Sequence, residues 1–208
     1  VLNVTVIEGY GLTETSPVIA VNPSADGSVP ASVGPVLSNV RIKIVDDKGE
    51  EMKQGNVGEI WVKAATVMKG YWKRPDETRE TITSDGWFKT GDLGHLDEKN
   101  RLYISQGRKK DLIIRAGENI SPLAIENALM SHPAIAEAAA VGVPDKRAGE
   151  RVKLCVTLRQ GVSATEQEIR EFCRKKLPAF IIPDMIQFYD ALPKNATGKV
   201  LKTQLRDP

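Results

Sequence analysis

The sequence predicts an α+β protein in two parts. The first half should form a small distorted β-barrel or a twisted antiparallel sheet, and the second a compact α+β unit with a small sheet and flanking helices. Two observations carry this. In the first half, apolar residues alternate with period two between Gly, Asn and Asp turns. In the second, two capped helical segments with one apolar face lie among longer apolar runs.

The elements follow in chain order. Val4-Thr5-Val6-Ile7 reads as a strand, and a chain that begins at Val1 inside such a run reads as part of something longer. Val40, Ile42 and Ile44 alternate with Arg41 and Lys43, the pattern of a half-buried strand. Asp46-Asp47-Lys48-Gly49 supplies a turn before a second strand, Val57 to Val62. A short helix opens at Pro75, whose missing N–H costs nothing in a first turn, with Asp76 and Glu77 placed to suit the helix dipole. Leu93 to Leu96 and Leu102 to Ile104 flank Asp97-Glu98-Lys99-Asn100 as a hairpin.

Beyond Gly107 to Asp111 the pattern changes. Ser121 before Pro122 is an N-cap and first-turn pair that leads into Ile125, Ala128 and Leu129. Thr165 with Glu168 is a capping box ahead of Ile169, Phe172, Cys173 and Leu177. Ile135 to Val143, Arg151 to Leu158 and Met185 to Tyr189 are the strands between and after these helices.

Composition narrows the function classes. Of 29 Lys and Arg and 27 Asp and Glu, residues 1–109 carry 14 and 15 and the remainder 15 and 12, so neither part has the one-sided charge of a nucleic-acid binder. Two cysteines are too few for a disulfide scaffold and fit a reducing compartment, hence a cytoplasmic protein. No apolar run reaches membrane-spanning length. His95 and His132 lie far apart with no companion at ligand spacing, and no Ser-His-Asp set can be assembled.

Four segments could carry chemistry. In Gly9-Tyr10-Gly11-Leu12-Thr13-Glu14-Thr15 the glycines allow close backbone approach, the hydroxyls suit phosphate oxygens and Glu14 suits Mg²⁺, though the same residues also make an ordinary turn. Asp92, at a strand end between Gly91 and Gly94, reads as a ribose acceptor or as a turn residue. Arg108 in Gly107-Arg108-Lys109-Lys110-Asp111 reads as a phosphate or ribose donor or as part of a solvated linker. Lys199 closes Asn195-Ala196-Thr197-Gly198-Lys199 on a mobile tail. It lacks the first glycine, the preceding strand and the following hydroxyl of a P-loop.

Taken in order, Tyr10-Gly11-Leu12-Thr13-Glu14, Gly86-Trp87-Phe88-Lys89-Thr90-Gly91-Asp92, Gly107 to Asp111 and Asn195 to Lys199 resemble the adenylate-forming enzymes. That superfamily includes acyl-CoA synthetases, peptide-synthetase adenylation domains and beetle luciferases. The resemblance extends to Gly70-Tyr71-Trp72 and Arg74-Pro75 and covers essentially the whole chain.

The resemblance implies roles. Tyr10 would stack on adenine, with Gly11 beside it, and Thr13 would bind the α-phosphate while Glu14 ligates Mg²⁺. Asp92 and Arg108 would hold the ribose, and Lys199 would bridge carboxylate and ATP. Lys110 would be the hinge of a rotating C-terminal domain, and Gly117 and Glu118 would face the CoA thiol. Residues 1–109 would then be the end of the large AMP-binding domain, with 1–35 the nucleotide segment and 36–109 the barrel-like part. Residues 110–208 would be the mobile domain.

Asp111 to Pro122 is most similar to acyl-CoA synthetases, but Ile114 stands where luciferases and coumarate ligases commonly have Lys, and Ala116 where Gly is frequent. The family's Thr/Ser/Gly-rich phosphate loop is absent from these residues, so the expectation is a C-terminal portion, inactive alone. The intact enzyme would convert a carboxylic acid, such as a fatty acid, with ATP and CoA into acyl-CoA, AMP and pyrophosphate. The alternatives are adenylation for a carrier-protein thiol, or a noncatalytic module. An unpaired strand edge in residues 1 to about 35 would favour self-association into a homo-oligomer.

Overall fold

A computed structural model of the chain describes residues 6–23 and 27–207. The chain divides into two compact units, Val1–Lys109 and Lys110–Pro208. Val4 and Thr5 of the strand expected at Val4 to Ile7 lie outside the described residues, and Val6 and Ile7 are not in a strand.

In the first unit, β1 (Gly9–Gly11) pairs antiparallel with β2 (Val18–Val21) across a single 3-10 turn at Thr13–Thr15. There follow β3 (Gly34–Pro35), β4 (Val40–Val45), β5 (Gly58–Ala64), α1 (Pro75–Thr81), β6 (Phe88–Leu96) and β7 (Arg101–Arg108). The barrel expectation is corrected here: these strands form an open antiparallel sheet in the order β3-β7-β6-β5-β4. Closure would need β3 to pair with β4, but β3 is two residues long and Pro35 has no N–H to give. The chain after β4 turns back at Asp46, and Met52 N–H donates to Ile44 O at 2.8 Å.

The core of this unit gathers Ile19 and Ala20 of β2, Val40 and Ile44 of β4, Ile60 and Val62 of β5, and Leu102 of β7. The opposite face of β4–β6 is not apolar. There the Lys43 ammonium lies 4.7 Å from the Trp61 ring centre and 4.6 Å from that of Trp87, a cation held against two indoles.

The second unit begins within a 3-10 turn at Lys109–Asp111. Its elements are β8 (Ile113–Arg115), β9 (Glu118–Ile120), α2 (Pro122–Leu129), β10 (Ile135–Asp145), β11 (Gly149–Leu158), α3 (Glu166–Lys176) and β12 (Met185–Phe188). Both caps form: Ser121 Oγ accepts from Ala124 N, and Thr165 and Glu168 exchange side chain-to-backbone bonds.

The long β10–β11 hairpin is buried on both faces. Leu154 and Val156 pack with Ile125, Leu129, Ile169 and Cys173 of the helices. Cys155, Val141 and Val143 turn the other way, onto Leu192 and Leu205 of the C-terminal segment. That segment is fastened by Lys153, 3% exposed, whose Nζ donates to Asp207 O at 2.5 Å.

Candidate functional site

In the first unit the best-formed polar cluster centres on Asp92. The sequence placed it at a strand end; it lies instead inside β6, directly opposite Arg108 of β7. Arg108 Nε donates to Asp92 Oδ1 at 3.1 Å, and the Tyr10 hydroxyl donates to Oδ2 at 2.6 Å. Below, Thr90 Oγ1 accepts the Asp92 N–H at 3.0 Å and donates to Ile60 O at 2.7 Å, which fixes the backbone beneath the carboxylate. Arg108 is therefore a strand residue, not part of a linker.

Asp92 is 7% exposed, so its charge needs these partners. A carboxylate has about four acceptor positions, and two strong donors leave capacity for further hydroxyl donors. Burial, then the neighbouring Asp92 charge and hydrogen bond, push the Tyr10 phenol far above its ordinary value, so it is a permanent donor here.

The loop after Tyr10 divides its hydroxyls. Thr15 is buried and occupied, with Oγ1 donating to Leu12 O and Pro17 O and accepting Leu12 N–H. Thr13 is exposed, and no protein partner meets its hydroxyl among the described residues. Gly11 is demanded by the loop itself: a Cβ there would stand 1.8 Å from Pro17 O.

Glu14 is half-buried, and its Oε1 accepts the Tyr71 hydroxyl at 2.9 Å. Tyr71 entered the sequence reading only as part of a matching segment; nothing in its spacing from Glu14 announces the contact. Among the described residues no cluster of three or more His, Cys, Asp and Glu could hold a metal ion. A lone carboxylate is nonetheless the donor set Mg²⁺ uses when phosphates and waters complete its octahedron.

The second unit presents two exposed turns. Asn195 Oδ1 accepts from Thr197 N, Thr197 Oγ1 and Lys199 N, at 3.0, 2.8 and 2.9 Å. Asn195 N donates back to Lys199 O at 2.9 Å, and Lys194 faces Val200 in a bridge. Lys199 thus sits on a tight, internally bonded turn rather than a loose tail. Gly198 takes φ +83° there. The Lys199 ammonium has no protein partner among the described residues, while Lys194 is paired with Glu137.

The other turn joins β8 and β9 through Ala116 and Gly117, with φ of +51° and +85°. Positive φ at both central residues is the hairpin geometry that glycine and asparagine favour, so Ala116 sits under strain. Gly117 and Glu118 are exposed. Lys110 is exposed at the start of the unit, its carbonyl facing Arg206 Nη2 at 3.5 Å.

Comparison with known proteins bears on these features. Residues 1–72 match the AMP-binding enzyme family, and residues 124–199 match the AMP-binding enzyme C-terminal domain. The long-chain-fatty-acid–CoA ligase of Escherichia coli O6:H1 is 43% identical over 201 residues, covering 97% of this chain and 35% of the ligase. The chain therefore spans about a third of the length of the curated relatives it matches.

Among solved structures, ATP-bound MatB from Rhodopseudomonas palustris superposes with a TM-score of 0.89 at 39% identity, over 97% of this chain and 40% of that one. The o-succinylbenzoate CoA synthetase MenE of Bacillus subtilis, in complex with its acyl-adenylate intermediate OSB-AMP, gives 0.88 at 39% identity, over 98% and 41%.

Proposed function

We propose, from the premise that this chain belongs to the adenylate-forming AMP-binding enzymes, that it is a portion of an ATP-dependent acyl-CoA synthetase acting on a fatty acid. In the first half-reaction a carboxylate oxygen of the acid attacks the α-phosphorus of ATP, and pyrophosphate leaves. In the second, the CoA thiol gives up its proton and attacks the acyl carbon, and AMP leaves.

The observation that carries this reading is the cluster at Asp92. Its carboxylate is buried, anchored from below by Thr90 and flanked by Tyr10 and Arg108, with acceptor positions remaining for the two hydroxyls of a ribose. The Tyr10 ring would lie against adenine beside Gly11, with its hydroxyl held by Asp92. Thr13, the hydroxyl the loop leaves unused, would donate to the α-phosphate, while Thr15 holds the loop's shape.

Glu14 would hold Mg²⁺, which supplies positive charge to the phosphates when bound. The Tyr71 hydroxyl orients that carboxylate. Lys199, carried on a turn and with no partner for its ammonium among the described residues, would stabilise negative charge developing between the acid and ATP. Lys110 would be the hinge for movement of the second unit, and the Gly117–Glu118 side of the β8–β9 turn would border the incoming thiol. Residues 1–109 are read as the end of the larger AMP-binding domain and 110–208 as the mobile domain.

The test is acid-dependent ATP–pyrophosphate exchange by the full-length gene product that contains this chain. Lys199→Ala should slow exchange by roughly 10²–10³, the scale for removing one preorganised charge stabiliser. Thioester formation from supplied acyl-adenylate should change far less. Exchange that needs no acid, or equal loss in both half-reactions, would overturn the assignment.

A further inference from the structure

The β8–β9 turn has almost no contacts of its own at its tip. A Cβ added at Gly117 would meet nothing within 4 Å, and Ala116, Gly117 and Glu118 are all exposed. The hairpin beneath is three residues a side, and its ladder with the rest of the sheet is a single register pair, Gly149 opposite Arg115. A hairpin this short does not hold a fixed position by itself. Its direction must be set by whatever grips its stem.

Two carboxylates from outside the hairpin do so. Glu150 Oε2 accepts the Ile114 N–H at 2.6 Å. Its carboxylate also lies against Gly142 of β10, where a Cβ would stand 2.6 Å from it. Any other residue at 142 would displace it.

Asp184 works from the opposite side. Its Oδ1 accepts from Arg115 Nη2 at 3.0 Å, with Arg151 Nε 3.9 Å away, and its Oδ2 accepts the Val152 N–H of β11 at 2.9 Å. Arg115 Nη1 donates in addition to Phe180 O at 3.2 Å. One backbone bond, Ala116 N to Ala148 O at 2.6 Å, completes the attachment. The foot of the hairpin is thus anchored in the core by the buried Ile113 and Ile120, while its β8 side next to the turn is held by Glu150 of β11, by Asp184 just before β12 and by the backbone bond to Ala148.

We propose that Glu150 and Asp184 are positioning residues for the thioester-forming half-reaction, clamping the stem of the Ala116–Gly117 turn so that its exposed edge is held at one place. This rests on the reading that the turn borders the thiol. A misplacement of about 1 Å in a positioning element can cost up to about a hundredfold in rate, so partial release of the stem should be visible in that step. Adenylation, assigned to other residues, should not register it.

Two measurements test this. Amide hydrogen exchange on the 208-residue chain reads the clamp directly: Glu150→Ala should speed exchange at Ile114 by about tenfold or more, the factor expected from losing one charged acceptor. Asp184→Ala should do the same at the Arg115 and Ala116 amides. Glu150→Gln, which keeps an acceptor oxygen, should restore most of the protection. Unchanged exchange in both alanine variants overturns the clamp.

On the full-length gene product, Glu150→Ala and Asp184→Ala should lower thioester formation from supplied acyl-adenylate about tenfold while leaving pyrophosphate exchange within about twofold. Glu150→Gln should recover the thioester rate. Equal loss in both half-reactions, or faster amide exchange with no change in thioester formation, overturns the positioning role. An unmutated enzyme that forms no thioester with CoA would sink the ligase reading and the role built on it, and amide exchange would still decide whether the clamp exists.

Discussion

The Tyr10 hydroxyl and the Asp92 carboxylate meet at 2.6 Å although 82 residues separate them. This bond ties the β1–β2 ribbon to the middle of the five-stranded sheet, and it joins two segments to which the resemblance assigns the adenine and the ribose. Its removal should therefore be felt in both stability and binding.

Tyr10→Phe deletes the hydroxyl and leaves Asp92 with Arg108 alone. The expected cost is about 1.5–3 kcal/mol, as for a hydrogen bond to a charged group. All three tryptophans lie in residues 1–109, so urea unfolding followed by tryptophan fluorescence reads this unit selectively.

The same pair sets an alkaline limit. Burial and the Asp92 charge keep the native Tyr10 phenol protonated well beyond its usual range, whereas an unfolded tyrosine loses its proton near pH 10. The stabilisation is complete below about pH 10 and declines as pH rises from there. The fluorescence midpoint should fall more steeply above pH 10 in the wild type than in Tyr10→Phe.

Asp97 sets an acid limit on the β6–β7 hairpin. Burial works to raise its carboxyl, but hydrogen bonds from the Arg101 backbone and side chain and from the Lys99 N–H outweigh it and hold the value to about 2. A depressed carboxyl stabilises fully above the unfolded value near 4 and loses that contribution as pH falls toward 2. Asp97→Asn should unfold earlier in urea at pH 7 and lose the dependence on pH between about 4 and 2.

Gly11→Ala should be more damaging than its size implies. The new methyl would occupy the position of Pro17 O, so the loop that carries Thr13 and Glu14 must open. A loss of about 1–3 kcal/mol, the range for overpacking, should accompany loss of ATP binding in the full-length protein, measured by calorimetry.

Ala116→Gly should act in the other direction. Ala116 holds φ +51°, which costs an L-residue about 1–2 kcal/mol, partly offset by the extra chain entropy of glycine. A gain of up to about 1 kcal/mol in the 110–208 unit is expected by differential scanning calorimetry. Gly117→Ala, with open space but φ +85°, should lose a similar amount.

Local patterns carried much of this protein. The period-two run at Val40 to Ile44, the Asp97–Asn100 turn and the caps at Ser121 and Thr165 became β4, the β6–β7 hairpin, α2 and α3, because each depends on residues within a few positions of one another. The ordered motifs were likewise enough to name the superfamily. Closure of the first sheet was not legible. It turned on whether the two-residue strand containing Pro35 would pair with β4 or only with β7, far along the chain, and the alternation in β4 does not decide that.

The partners of the motif residues also came only from tertiary structure. Counted outward from the Asp97–Asn100 turn in the register of Leu96 with Leu102, Asp92 would face Gln106. A bulge beyond Gly94 and Ile104 slips the ladder by two residues and brings Arg108 there instead. Strand periodicity survives such a slip because side chains stay on the same face, so the alternation cannot report it. The sequence thus determined which residues carry charge and hydroxyls and which local elements hold them. Packing and register, which depend on contacts far apart in the chain, decided that Tyr10, Asp92 and Arg108 share one carboxylate and that Tyr71 orients Glu14.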